Sequence, residues 1–160
     1  MSIGDVQPQV LEAALFGELS DPEIPTSDLI SAMLAAGPGI SDLIFSPGRP
    51  PQVEQHGQLT GIEGLQVLTP DDTCRVAHDV IGGNAHALRT LSSDGACDVS
   101  YTIPNIARFR VNVFKQRGSY AIVMRVIASR IPSFAELKLP EVLGDVAMLK
   151  NGLVLVTGQT

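Results

Sequence analysis

The sequence lacks tryptophan and is poor in aromatic residues, which make up only 4% of its 160 positions. Because 44% of the residues are nonetheless apolar, any core must be built mainly from aliphatic side chains. Only two cysteines are present, Cys74 and Cys97, too few for a disulfide framework or a cysteine zinc site. We interpret both as buried thiols in a reducing compartment.

Positive charge and long apolar runs are also scarce. Lysine and arginine number 11 against 17 acidic residues, for a net charge of -6. This balance argues against a broad nucleic-acid-binding surface, so any anion site must be local. No apolar run approaches the roughly 20 residues that span a bilayer, and no signal-peptide pattern opens the chain, so we predict no membrane insertion. The histidines lack partners at metal-ligand spacing, and we predict no metal site.

The most informative segment runs from Ala107 to Ile127. Its first half alternates apolar residues with polar ones, the period-2 pattern of a strand with one buried face. The apolar set is Ala107, Phe109, Val111 and Val113, and the polar set is Arg108, Arg110 and Asn112. A second strand, from Ser119 to Ile127, follows a predicted two-residue turn at Arg117-Gly118. The segment is therefore predicted to be a β-hairpin.

A two-residue turn would place Arg110 directly opposite Arg125. Like charges in that position destabilise a sheet, which suggests that the two arginines hold an anion in common. Guanidinium groups suit phosphate oxygens. Two other interpretations remain open at this point: the arginines are simply solvated on a half-exposed hairpin, or they pair with carboxylates from elsewhere in the chain.

The remaining pattern predicts further helices and strands around this hairpin. An amphipathic helix is expected within residues 5–19, then a linker and a helix capped at Thr26 or Ser27. Strands are predicted for Ser41 to Ser46, for a hairpin over 52–62 with Val53 and Leu59 inward, and for Cys97 to Ile103. Helices are predicted to begin at the Thr69 and Asn84 caps and to span 141–149, with a loop over 92–95.

The last residues predict the beginning of another domain. Leu153 to Val156 has the composition of a buried parallel strand, and Gly158-Gln159-Thr160 could fill the first three positions of a Walker A phosphate-binding loop. We therefore expect the chain to end slightly past a domain boundary.

Four segments carry a resemblance to a known family. SDLIFSPGRPPQV, ARFRVNVFKQRG, VMRVIASRIPSFAELKLP and NGLVLVTGQT resemble, in this order, the type IV pilus retraction ATPases, the PilT group of the type II/IV secretion ATPase superfamily. The resemblance covers roughly residues 28–160. Ile44 departs from a histidine that is frequent in the family, and Gln159 departs from its usual proline.

The resemblance implies an α+β fold, with a PAS-like N-terminal domain whose mainly antiparallel sheet carries helices, ending in the first strand of a truncated RecA-like domain. It implies an extension at 1–25, the PAS-like domain at 26–127, an interdomain linker at 128–150 and the start of the ATPase domain at 151–160. Family members are cytoplasmic homo-hexamers that work at the inner-membrane platform of the pilus and use ATP and Mg²⁺.

The resemblance also implies roles for named residues. Arg110 and Arg125 match arginines that reach ATP phosphates and would be catalytic, with Gly158 and Thr160 as further nucleotide contacts. The full-length protein would be an ATPase that powers pilus retraction and twitching motility. This segment would be inactive and without bound nucleotide, since the P-loop lysine and later motifs are absent. The alternatives are a pilus-extension or type II secretion ATPase, and a PAS-like sensor or adaptor.

Overall fold

A computed structural model describes residues 7–16, 24–128 and 132–158 of the chain. The chain divides into two compact units, Met1–Ala128 and Ser129–Thr160. The helices are α1 (Pro8–Phe16), α2 (Thr26–Leu34), α3 (Pro70–Ile81), α4 (Ala85–Asp94) and α5 (Val142–Ala147). The strands are β1 (Ile40–Phe45), β2 (Gln52–Gln55), β3 (Gln58–Gly61), β4 (Ala96–Ile103), β5 (Ala107–Gln116) and β6 (Ser119–Ile127).

The first unit contains a six-stranded sheet in the order β3-β2-β1-β6-β5-β4, and every neighbouring pair is antiparallel. The predicted α+β class with a mainly antiparallel sheet is therefore confirmed. Strands β4, β5 and β6 form the meander that their short connections predict. The pairing of β1 with β6 joins segments about 80 residues apart, and no local sequence signal predicts it.

One face of the sheet is buried under helices. Helix α3 packs on β6 and β4, and α4 packs mainly on β4. The side chains of this face are almost all aliphatic and include fully buried residues from the central strands: Leu43, Phe45, Phe109, Val111, Val113, Ile122 and Met124. Because successive side chains of a strand point to opposite faces, the intervening polar residues lie on the other face, which we call the open face.

The predicted hairpin is confirmed together with its register. Gln116 pairs with Ser119 across a two-residue turn. The turn residues Arg117 and Gly118 have φ values of 49° and 82°, the left-handed pair required by a type I′ turn. This turn matches the right-handed twist of the strands, so it fixes which residues of β5 and β6 face each other.

Helix α3 begins at the predicted cap. The Thr69 hydroxyl accepts a hydrogen bond from the Asp72 amide at 3.1 Å, and the Asp72 carboxylate accepts one from the Thr69 amide at 2.8 Å. This reciprocal arrangement is a capping box, which satisfies two amides that the helix leaves without partners. The helix ends where Gly82 adopts φ 56°, as the Gly82-Gly83 pair predicts.

Replacing Thr69 by alanine is expected to lower the free energy of unfolding by about 1 kcal/mol, the usual value of an N-cap hydroxyl. Chemical denaturation of the chain measures the change. Thr60→Ala is the matched control, because Thr60 is exposed on β3 and no side-chain hydrogen bond involves it within the described residues. Equal losses in the two variants would contradict the capping role.

The capping box also has a predicted pH dependence. Burial raises the pKa of Asp72, but hydrogen bonds from Thr69 and Arg75 lower it more, so the pKa lies below its usual value. A carboxyl whose pKa is depressed by folding stabilises the fold above its unfolded pKa and loses that contribution as the pH falls through the folded pKa. The stability difference between wild type and Thr69→Ala should therefore shrink in acid.

Three local predictions are wrong. Leu59 does not face the core; it pairs with Glu54 on the edge strand β3 and is 51% exposed. Thr26 is not a cap, since Pro25 holds that position and the Thr26 hydroxyl donates instead to Asp79 on α3 at 2.5 Å. Residues 92–94 are not a loop, because α4 continues to Asp94 before Gly95 ends it.

Helix α1 belongs to the first unit. Leu11 and Phe16 are buried in its core, and the Tyr120 hydroxyl donates to the Leu15 carbonyl at 2.7 Å. The Glu12 carboxylate lies 2.7 Å from His78 of α3. The helix expected within residues 5–19 is thus docked on α3 and α4. The linker that was expected to follow it lies largely in 17–23, outside the described residues.

The second unit contains α5, slightly shorter than the predicted helix over 141–149. The strand predicted at Leu153 to Val156 is not formed, and its side chains are exposed. A strand requires a hydrogen-bonded neighbour, and no described residue of this unit supplies one. Gly158 is exposed, whereas Gln159 and Thr160 lie outside the described residues.

Candidate functional site

A row of charged side chains crosses the open face of the sheet. Arg110 on β5 lies directly opposite Arg125 on β6, as predicted, and Ser100 on β4 lies on its other side. Arg125 in turn lies opposite Asp42 on β1, and Asp42 lies opposite Glu54 on β2. Four adjacent strands therefore place two cations and two carboxylates in one line, which Ser100 extends onto a fifth strand.

The two arginines are close neighbours and both are exposed. Residues directly opposite in an antiparallel pair have Cβ atoms about 4.5–5.5 Å apart, so the guanidinium groups can converge on one anion. Each arginine alternates along its strand with buried residues, Val111 beside Arg110 and Met124 beside Arg125. The register therefore holds both arginines on the open face.

Arg125 has a carboxylate partner that the sequence did not reveal. Its Nε donates to Asp42 Oδ1 at 2.9 Å. The Asp42 side chain is 6% exposed, whereas the Arg125 side chain is 72% exposed. Of the interpretations left open for the arginines, pairing with a carboxylate is correct for Arg125. Arg110 forms no hydrogen bond or ion pair with any residue in the part of the chain that the structure describes.

The contact with Asp42 leaves most of the Arg125 hydrogen-bonding capacity available. A guanidinium carries five N–H donors, and the Nε–H is only one of them. No described residue forms a hydrogen bond with the two terminal nitrogens of Arg125 or with the guanidinium of Arg110, so these donors can contact an anion. The two arginines are balanced by Asp42 and Asp98 in the same depression, so any preference for an anion comes from these unused N–H donors and not from the net charge.

A shallow depression of about 220 Å³ surrounds the arginine pair. Its lining residues are Asp42, Asp98, Arg110, Asn112, Val123 and Arg125. Only Val123 is apolar, which fits a charged ligand or a charged partner better than the apolar pocket expected of a small-molecule sensor. Asp42, Asp98 and Asn112 were not identified as site residues from the sequence, because their proximity depends on pairing across four strands.

A larger depression of about 470 Å³ lies elsewhere, beside the beginning of α2, residues 64–69 and the first turns of α3. Leu29, Leu65 and Val76 contribute its apolar part, and Arg75 contributes a charged group. None of the predicted site residues lines this depression.

The described residues contain no group of three or more histidine, cysteine or acidic side chains suited to hold a metal ion. They also include no helix with the length and apolar character needed to cross a bilayer. The arginine pair is therefore kept as the candidate site within this part of the chain.

The cysteines take no part in the candidate site. Cys97 is buried, as predicted, whereas Cys74 is only partly buried. Burial and, to a smaller extent, the Asp98 carboxylate raise the pKa of the Cys97 thiol to about 11. Since the thiolate is the reactive form, roughly one Cys97 in a thousand would be reactive at pH 8.

We therefore expect Cys97 to resist iodoacetamide at pH 8 in the folded chain and to react readily in denaturant. Mass spectrometry of the labelled peptides measures the two rates, with a short cysteine peptide as the reference thiol. Labelling of folded Cys97 as fast as the reference peptide would contradict its burial and its raised pKa.

No protein-family model matches the chain, but individual relatives do. It is 35% identical over 133 residues to the type IV pilus retraction ATPase PilT of Pseudomonas aeruginosa, covering 82% of this chain. It is 34% identical over 122 residues to the type IV pilus ATPase PilU of the same organism, covering 76% of this chain. The chain belongs to the PilT-like family. It spans 38% of the length of PilT and 31% of PilU, about a third of each.

Solved structures agree with this assignment. A crystal structure of the pilus retraction motor PilT with bound ADP matches 85% of the chain with 34% identity and a TM-score of 0.72, over 38% of its own length. The match lies in the N-terminal region of PilT. The ATPase DotB of Legionella pneumophila matches at 24% identity with a TM-score of 0.54, which supports the fold alone. The PilT-like chain is therefore related to the N-terminal part of type IV pilus ATPases.

Proposed function

We propose that this chain is the N-terminal domain of an ATP-driven motor that powers type IV pilus retraction. The observation that carries the proposal is the pair Arg110 and Arg125, adjacent on an open sheet face, with Arg110 unpaired among the described residues. The relatives indicate which anion such a pair would contact, namely the phosphates of a nucleotide. One relative is named a retraction ATPase, and a solved structure of a retraction motor contains bound ADP.

In this proposal the two arginines contact the phosphates of a nucleotide held by another domain. Negative charge shifts among the phosphate oxygens as the terminal phosphoryl group is transferred. Fixed guanidinium groups stabilise that charge without reorganising, because the strands already hold them in place. The described residues offer no cage for Mg²⁺, so we assign the metal to the phosphates and to residues outside this part of the chain.

The proposal has a domain organisation taken from the family resemblance. Residues 26–127 act as a PAS-like domain, 128–150 connect it to the next domain, and 151–160 begin a RecA-like ATPase domain containing Gly158 and Thr160. The complete protein works as a cytoplasmic homo-hexamer against the inner-membrane pilus platform. The segment alone does not hydrolyse ATP, since it contains neither the P-loop lysine nor an identified catalytic carboxylate.

A pilus-extension or secretion ATPase of the same superfamily is the main alternative, because the same arginine geometry would serve both directions of movement. A deletion strain of the source organism distinguishes the two. Loss of a retraction motor should abolish twitching while pili remain on the cell surface, and the intact gene should restore twitching. A deletion strain without surface pili would indicate extension, and one with unchanged twitching would contradict a pilus motor.

A further inference from the structure

We propose that Asp42 is a positioning residue that directs the Arg125 guanidinium toward the nucleotide phosphates. The inference rests on the proposed function, since it assigns a role to a residue that supports one of the two arginines. Asp42 touches Arg125 and not the ligand, so its effect on turnover would pass through Arg125.

The first support is the rigidity of the Asp42 position. Asp42 lies on β1, an interior strand of the sheet, directly opposite Arg125 on one side and Glu54 on the other. Its side chain is 6% exposed although it lies on the open face. A long arginine side chain has many rotamers in solution, and ordering it costs conformational entropy. A buried carboxylate at one end of the side chain reduces that cost before the nucleotide arrives.

The second support is the atom that Asp42 contacts. The 2.9 Å hydrogen bond goes to Nε, the nitrogen nearest the aliphatic part of the Arg125 side chain. A bond at Nε fixes the plane of the guanidinium and leaves the two terminal nitrogens outward. A two-pronged pair with the carboxylate would occupy two of the guanidinium N–H groups and leave fewer of them for an anion.

The third support is that β1 does not require a charge at this position. Ile44, the next residue of β1 on the same face, is half-buried and apolar. A buried carboxylate is expensive unless a cation or several hydrogen bonds compensate it, and an apolar side chain there would avoid the cost. The compensation of Asp42 comes from Arg125, so the two residues form a unit.

The test measures ATP turnover by the complete gene product carrying Asp42→Ala, Asp42→Asn, Arg125→Ala or the double change Asp42→Ala with Arg125→Ala. Misplacing a catalytic cation should lower kcat roughly 10–100-fold in Asp42→Ala, with KM little changed. Asparagine retains an acceptor oxygen, so Asp42→Asn should recover part of the loss. In the Arg125→Ala background, removal of Asp42 should have little further effect on kcat.

Glu63→Gln is the control, because Glu63 is an exposed carboxylate outside this row and its side chain forms no hydrogen bond or ion pair within the described residues; its kcat should equal that of wild type. If Asp42→Ala does not fold, Asp42→Asn, which preserves the shape of the side chain, tests the same coupling. Unchanged or higher kcat in the Asp42 variants would overturn the inference. It would also be overturned if removal of Asp42 lowered kcat by the same factor in the Arg125→Ala background as in wild type. Normal turnover in Arg125→Ala would instead overturn the proposed role of Arg125 itself.

Discussion

Replacing Arg110 by alanine in the complete gene product is expected to lower kcat for ATP hydrolysis roughly 10²–10³-fold, the usual effect of removing one fixed donor from a developing charge. Arg125→Ala should cause a loss of the same order. Folding should be almost unaffected by the Arg110 change, because that side chain is exposed and has no partner within the described residues. Steady-state turnover and thermal unfolding of the same preparations separate the two effects.

Arg108→Ala is the matched control for this prediction. Arg108 lies on the same strand and face, two residues from Arg110, but its opposite neighbour is Ile127, so it belongs to no arginine pair. Its removal should change kcat much less than the removal of Arg110. Equal losses in Arg108→Ala and Arg110→Ala would mean that general positive charge on β5 is sufficient, which would contradict a specific phosphate contact.

The largest loss of stability is expected from truncating the buried face of β1. Leu43 is fully buried between Val53 on β2 and Met124 on β6. Leu43→Ala should lower the free energy of unfolding by about 2–5 kcal/mol, because it removes apolar contacts and leaves a cavity. Since natural domains have only about 5–15 kcal/mol in total, this is a large fraction, and denaturant titration of the chain measures it.

Leu59→Ala provides a control with identical chemistry. Leu59 is 51% exposed on the edge strand, and its removal creates no enclosed cavity. The loss should stay below roughly 1 kcal/mol, within the usual range for surface positions. Comparable destabilisation in the two leucine variants would contradict the assignment of β1 to the interior of the sheet and of β3 to its edge.

The local parts of the fold could be predicted from the sequence because their signals are local. The turn at Arg117-Gly118 fixed the register of β5 and β6, and with it the opposition of Arg110 and Arg125. The Thr69 cap determined the first residue of α3. In each case a few adjacent residues favour one backbone conformation strongly enough to decide the outcome.

The failures concern contacts between distant segments. Leu59 was expected inside because an apolar residue in a short hairpin suggests a buried face. It pairs instead with Glu54, which lies opposite Asp42, so the register places Leu59 on the open face. Asp42 was not recognised as a partner of Arg125 because the pairing of β1 with β6 is set by the whole core. The sequence shows only that Asp42 is an acidic residue at a polar position of a predicted strand. That position does not specify which cation the Asp42 carboxylate would contact.

The segment Leu153 to Val156 does not form its predicted strand, for a related reason. Its apolar sequence predicts a buried strand, yet a strand is stabilised by its neighbours as well as by its own composition. Within the described part of the second unit no neighbouring strand exists, and the residues are exposed. The proposed RecA-like domain would supply that neighbour.

The most direct test of the proposed function is a crystal structure of the complete gene product with Mg²⁺ and a non-hydrolysable ATP analogue. In at least one protomer, guanidinium nitrogens of Arg110 and Arg125 should lie about 2.7–3.2 Å from phosphate oxygens, the range of protein hydrogen bonds. The Arg125 Nε should keep its contact with Asp42. Nucleotide bound in every protomer with both guanidinium groups directed to solvent would contradict the account.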